Sequence, residues 1–440
     1  MKKGISILLS IVLMLSFVSC TQQDTGALSK NEIVEIPILA RNAGNDSGTV
    51  VLKHMIEGFD KEFEGKYKLK VEWLPGVAED IRAKLKMLNA SSDLPAIVTD
   101  LAAEPAFADL LMKNNRLVDL KPYFDASPEW QEVCLPESVE YNTVNGKMYS
   151  TPGTTNDYVG IFYNKEHFEK AGISETPKTW DEFWDVCEKL EAAGYTPLSL
   201  HTTETGWCSM LLATSSLATS EAGQSFMMQK YPTDYNTPEF IDAMNVLKRS
   251  FEYATSDAVG GNYALAANNF CAEKTSMIPN GPWMIPSLSD PQFSPEGFEE
   301  KVGYMHYPEG VMISNLGINY GEGVSMDHPI EVQEGAIEYL KFKARPENIR
   351  FVGVMQGAFS PAVPLTEEDL EQLSPTMKDY AKSVSTLKYT LINYQGRWDP
   401  ITQNEVIPTE LVNFITGKIT VEDLINKMSE AGKKYAADNQ

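Results

Sequence analysis

The first third of the chain switches between two hydrophobic periods. Residues 33–41, IVEIPILAR, are nearly all apolar and predict a buried first strand. The stretch NAGNDSGT that follows is a run of loop formers. Over residues 50–63, Val51, Met55, Ile56 and Phe59 recur at helical spacing. Residues 67–74, YKLKVEWL, alternate as a second strand. A helical stretch over 79–88 and the segment PAIVTD, a third strand ending at Asp100, complete a β-α-β-α-β opening. That order predicts a parallel sheet with helices on both faces, an α/β fold.

The middle of the chain is richer in helix. In PKTWDEFWDVCEKLEAAGYTP, Thr179 is placed to cap and Glu182 to complete a capping box, with Phe183, Cys187 and Leu190 as one stripe and Gly194 as the stop. Thr237 and Pro238 open a second such helix, whose Phe240, Met244, Leu247 and Phe251 share a face. Thr420 caps a third. Trp180 and Trp184 fall on helix faces and are assigned to packing. SMIPNGPWMIP, residues 276–286, reads as a strand end followed by the turn Asn280-Gly281-Pro282, a place either to display Trp283 into a cleft or to tuck it into a core. No internal repeat and no long linker divides the chain, so two bodies would be joined by several short crossings.

The chain has 440 residues, 43% of them hydrophobic, enough for more than one core. Its formal net charge of −24 argues against nucleic acid or an anionic membrane surface as a partner, since binding phosphate needs a basic field. Lys2 and Lys3 precede an apolar run over residues 5–18, shorter than the ~20 residues a membrane helix needs. The run has the form of a signal peptide, residues 1–19. SFVSC then resembles a bacterial lipobox, in which Cys20 would carry the lipid, and residues 20–31 read as a polar tether. This predicts a lipid-anchored protein facing outside the cytoplasm. Cys134, Cys187, Cys208 and Cys271 form no CxxC pair, and the five histidines lack metal-ligand spacing, so neither a metal nor a cofactor is expected. Whether those four cysteines pair is left open by their spacing.

Several blocks then occur in order: NGKMYSTP, GIFYNKEHFEKAGI, PKTWDEF, LEAAGYTPLSL, FCAEKTSMIPNGPW and LVNFITGKITVEDLINKM, with RLVDLKPYFD before them. Together they resemble the extracellular solute-binding proteins of bacterial ABC importers, in the carbohydrate-binding group that includes maltose-binding protein. One departure is DLPAIV, where the family often has Pro-Asp and this chain has Pro95-Ala96. The resemblance implies two α/β lobes joined by a hinge: residues 32–154 plus 308–355, and residues 155–307 plus 356–440. The crossings are expected near 154–158, near 304–310 and past Met355. It further implies a monomer whose cleft closes on a ligand and then docks on a membrane permease.

A sugar has apolar C–H faces and a rim of hydroxyls, so its site needs flat aromatic rings and fixed polar groups at the ring edge. The resemblance places Trp283 at the cleft. Trp207 follows a polar loop, and Trp398 lies between Arg397 and Asp399 in NYQGRWDP, a loop offering a stacking ring and hydrogen bonds together. Polar candidates follow predicted strands, where open α/β sheets bind ligands: Arg41 and Asn42 after the first, Asp100 after the third. Asn156 and Asp157 stand at the first expected crossing, and Asn280 and Glu104 are weaker candidates. The expected function is capture of a sugar or oligosaccharide, with no catalysis. The alternatives are a peptide, polyol or uronate as cargo, a sugar-sensing role, and an exported glycoside hydrolase. The last has no supporting block, and P-loop, GxSxG and HExxH motifs are absent.

Overall fold

The computed structural model describes residues 33–42, 47–75 and 78–439. The opening strands are β1 (Val34–Asn42), β2 (Tyr67–Pro75) and β3 (Ile97–Val98), with helices α1 (Ser47–Glu62) and α2 (Ala78–Ser91) between them. β1 pairs in parallel with both β2 and β3, because each crossover helix returns the chain in the same direction. The short hairpin of β4 (Thr143–Val144) and β5 (Lys147–Met148) follows. The second sheet is built from β6 (Gly160–Asn164), β7 (Thr196–Leu198), β8 (Thr275–Asn280) and β9 (Val302–Met305). Its order is β7-β8-β6-β9, and β6 runs antiparallel to both neighbours.

Three elements arrive from far along the chain. β10 (Val311–Ser314) pairs in parallel with β12 (Tyr389–Ile392), and Ile313 bridges Val159. β11 (Gly323–Val324) adds antiparallel to β3 and completes the first sheet, in the order β11-β3-β1-β2. The buried side chains follow the same division. Ile36, Met55, Phe59, Ile97, Val324 and Tyr339 share one core. Ile161, Phe183, Leu211, Ile313, Trp398 and Leu424 share another. β10 therefore packs with the second core, while β11, further along the chain, completes the first sheet.

The helix caps follow from neighbours in sequence. Thr237 accepts from the backbone N–H of Phe240 at 3.2 Å, and Thr420 closes a capping box with Asp423. Thr179 caps as expected, accepting from Glu182 N–H. The reciprocal half differs: the Glu182 carboxylate accepts from Lys178 N–H at 2.6 Å instead of from Thr179. All four described cysteines are buried free thiols. Burial pushes the Cys134 thiol up to about 12.

Candidate ligand cleft

Antiparallel pairing decides which end of the second sheet faces the first body. The crossing strand enters β6 at Gly160, and Gly160 is opposite Asn280, the last residue of β8. The turn after β8 therefore lies at the rim nearest the crossing. Trp283 stands there, 36% exposed, on a short 3-10 turn over Pro282–Met284. Gly281 beneath it is needed for close approach: a Cβ added there would meet the Trp283 ring at 2.3 Å.

Trp207 comes to the same rim by another route. Thr205 and Gly206 both have positive φ, 65° and 54°, so the chain turns sharply before the helix Trp207–Ser215 begins. Trp207 and Trp283 have ring centroids 6.1 Å apart, at 53°. Tyr263 joins them, 4.9 Å from Trp207. Asn262 positions Tyr263, since its side chain caps the next helix by accepting from Leu265 N–H at 3.0 Å. The result is a tilted three-ring surface. Sequence reasoning missed Tyr263, although GGN before it marks a helix start.

Two buried polar residues support these rings. Asn280, with 0% exposure, donates to the Tyr263 hydroxyl at 3.3 Å and accepts from Gly281 N–H at 2.9 Å. It lies beneath the rings rather than at their surface. His201 is wholly buried. Its Nδ1 lies 2.9 Å from the Thr203 carbonyl and its Nε2 accepts from Cys208 N–H at 3.4 Å, so the proton belongs on Nδ1. Burial holds its pKa down to about 4.

The first body contributes a polar rim. β11 places Glu322 beside the end of β3, because Gly323 is opposite Val98. Thr151 N–H donates to the Glu322 carbonyl at 2.9 Å, which brings the crossing strand to the same edge. A cavity of about 740 Å³ opens here, with Thr99, Asp100, Glu322 and Lys343 beside apolar walls such as Met55 and Leu340, and Trp207, Tyr263 and Trp283 are not among its lining residues. Lys343 Nζ donates to Glu322 at 2.7 Å. Asp100 has φ of 62° and receives a hydrogen bond from Arg82 at 2.9 Å, while Arg82 Nε lies 3.4 Å from Glu104. Glu322 and Lys343 had no local signal, since they reach the rim only through pairing across the chain.

The other candidates divide. Arg41 and Asn42 close β1, opposite Leu74 and Pro75, and their side chains lie outside the described part. Asn156 exchanges two backbone hydrogen bonds with Phe359, at 2.8 and 2.9 Å, tying two distant segments of the chain together. Asp157 follows it, and burial pushes its carboxyl above the usual carboxylate range. Trp398 is a correction. It is 1% exposed and packs edge-on against Tyr235 at 5.3 Å and tilted against Tyr394 at 4.6 Å, so no ring face is open for stacking. The Arg-Trp-Asp loop turns inward because Asp399 accepts from Thr402 N–H at 2.9 Å as the next helical segment starts. Arg397 is 6% exposed, lies 5.9 Å from the Tyr141 ring, and has an Nε without an acceptor.

Two α/β bodies with a hinge of crossing strands define a two-lobed solute-binding protein. A family model described as bacterial extracellular solute-binding protein matches residues 58–382, and the chain belongs to that family. The multiple sugar-binding protein of Streptococcus mutans is 31% identical over 190 residues, 41% of this chain and 42% of that protein. The sn-glycerol-3-phosphate-binding periplasmic protein UgpB of Rhizobium meliloti is 29% identical over 170 residues, 35% of this chain and 36% of that protein. The chain thus matches about two fifths of the length of these curated relatives. Among solved structures, a chitin oligosaccharide binding protein superposes with a TM-score of 0.74 at 21% identity, covering 91% of this chain and 98% of the other. A Streptococcus pneumoniae solute-binding protein in complex with the blood group A-trisaccharide gives 0.71 at 20% identity, covering 91% and 100%. These two show likeness of fold. Among the described residues, no helix is long and apolar enough to cross a membrane, and no cluster of His, Cys, Asp or Glu could hold a metal ion.

Proposed function

We propose that this protein captures a sugar or oligosaccharide between its two bodies and delivers it to the membrane permease of an ABC importer. The observation that carries this reading is the three-ring surface of Trp207, Tyr263 and Trp283 at the crossing-side rim of the second sheet. Aromatic faces remove the C–H side of a sugar from water. The rim of Asp100, Glu322 and Lys343 supplies fixed donors and acceptors for hydroxyls. Binding without turnover is part of the proposal, and the relatives and the family carry binding names. So are an anchor at Cys20, which lies outside the described residues, a position outside the cytoplasm, and action as a monomer. The lobe assignment goes with it, with residues 315–322 as the second crossing.

A thermal-shift screen against mono- and oligosaccharides, with peptides and polyols as controls, tests the reading. A ligand at ~100 times its Kd stabilises a fold by ~2.7 kcal/mol. A shift with one sugar class, and recovery of that sugar unchanged, supports it. Turnover of the sugar restores the hydrolase alternative, and a response confined to the controls removes the carbohydrate assignment. A cargo bearing one anionic group is the second reading, and Arg397 favours it. Its guanidinium is almost wholly buried against Tyr141 with Nε unsatisfied, and burial holds its pKa below the usual value. Adding uronates and glycerol phosphate to the screen separates the two.

A further inference from the structure

Away from the aromatic rings, the two bodies also touch through a second cluster, whose Tyr320 lines the edge of the cavity as well. Asp109 lies on the helix Pro105–Lys113 of the first body. Its Oδ2 accepts from Lys230 Nζ at 3.2 Å and from the Tyr231 hydroxyl at 3.1 Å, both of the second body. Its Oδ1 accepts from the Tyr320 hydroxyl at 2.6 Å. The Lys230 ammonium is also surrounded by rings. It lies 5.0 Å from the centroid of Tyr231, 5.4 Å from Tyr320 and 6.0 Å from Tyr141. Tyr141 and Tyr320 come from the first body, their rings 5.1 Å apart and tilted at 47°.

An exposed Lys–Asp pair by itself contributes little. Here the carboxylate has three donors, and the ammonium has three aromatic faces to which cations are attracted. Burial, with Asp109 beside them, keeps the Tyr231 and Tyr320 hydroxyls protonated and donating. Tyr231 is held in place from behind by an edge-on contact with Tyr435 at 4.8 Å and by its N–H, which donates to the Arg397 carbonyl at 2.7 Å. Every partner in the contact belongs to the chain.

We propose that Lys230, seated against Asp109 and the rings of Tyr141, Tyr231 and Tyr320, is a clasp that holds the two bodies together before cargo arrives. It acts on the opening equilibrium. A clasp of this kind raises the fraction of molecules in the closed arrangement, and apparent affinity scales with that fraction.

Small-angle X-ray scattering of the mature chain, with no sugar added, tests this independently of the cargo assignment. The variants are Lys230→Ala, Asp109→Asn and Lys230→Arg. The expected result is a larger radius of gyration for Lys230→Ala and Asp109→Asn than for the wild type, with Lys230→Arg close to wild type and melting temperatures unchanged. Raising the salt from 50 to ~500 mM shortens the screening length to a few ångströms. It should expand the wild type and leave Lys230→Ala as it is. Identical scattering from all four proteins overturns the proposal. So does an expansion that Lys230→Arg fails to reverse and that comes with a fall in melting temperature, since that is damage to the fold rather than release of a clasp.

Discussion

The rings of Trp207 and Trp283 lie 6.1 Å apart and 53° to each other, although 76 positions separate them in sequence. Trp283 is held by a Pro-bounded turn and Trp207 by the start of a helix, so both faces are presented by stiff backbone. A stiff platform loses less freedom on binding.

Trp283→Ala should therefore weaken binding of the sugar found by the thermal screen at least tenfold, a loss of about 1.4 kcal/mol or more. Because Trp283 is 36% exposed, the melting temperature of the unliganded protein should hardly change. Titration calorimetry and a melt of the same sample check this. A large fall in the melting temperature would move Trp283 into a packing role.

Gly281→Ala offers a subtler version of the same experiment. The backbone at Gly281 has φ of −105°, which alanine accepts. The obstacle is the Trp283 ring, 2.3 Å from the added Cβ. The ring must swing away while the turn survives, so affinity should fall about as far as in Trp283→Ala. Fluorescence of the indole would report its new environment.

Trp398→Ala should behave in the opposite way. The ring is enclosed by Tyr235, Phe240 and Tyr394, and its removal should cost about 3–5 kcal/mol of stability. Urea unfolding measures the cost. A stable variant that had lost sugar binding would contradict the core placement.

His201 makes stability depend on pH. It is neutral when folded, with its pKa near 4 against 6.5 for the ordinary side chain. The unfolded chain therefore binds a proton first as pH falls. The contribution is complete above pH ~6.5 and declines by up to about 1.4 kcal/mol per pH unit from there to pH ~4. Protonating Nε2 would also remove the acceptor that holds Cys208 N–H, at the base of the Trp207 helix. Urea midpoints measured from pH 7.5 to 4.5 should show this slope, and His201→Gln should flatten it.

What the sequence by itself determined was local. The opening β-α-β-α-β order, the caps at Thr237 and Thr420 and the turn that carries Trp283 depend on residues within a few positions of one another, where periodicity, capping and proline act directly. The strand β3 was legible only in part, since two residues of it pair and Asp100 has already turned into the left-handed region.

Only the tertiary structure decided which polar and aromatic groups share a surface. Trp398 and Trp207 both sit in polar, glycine-containing loops, yet one packs inward because Tyr235 and Phe240 cover it, while the other shares the rim with Tyr263 and Trp283. Gly323 reaches Val98, and Lys230 reaches Asp109, through contacts across more than a hundred residues. Such contacts are fixed by sheet order and by how two bodies meet, and no short window of sequence contains both partners.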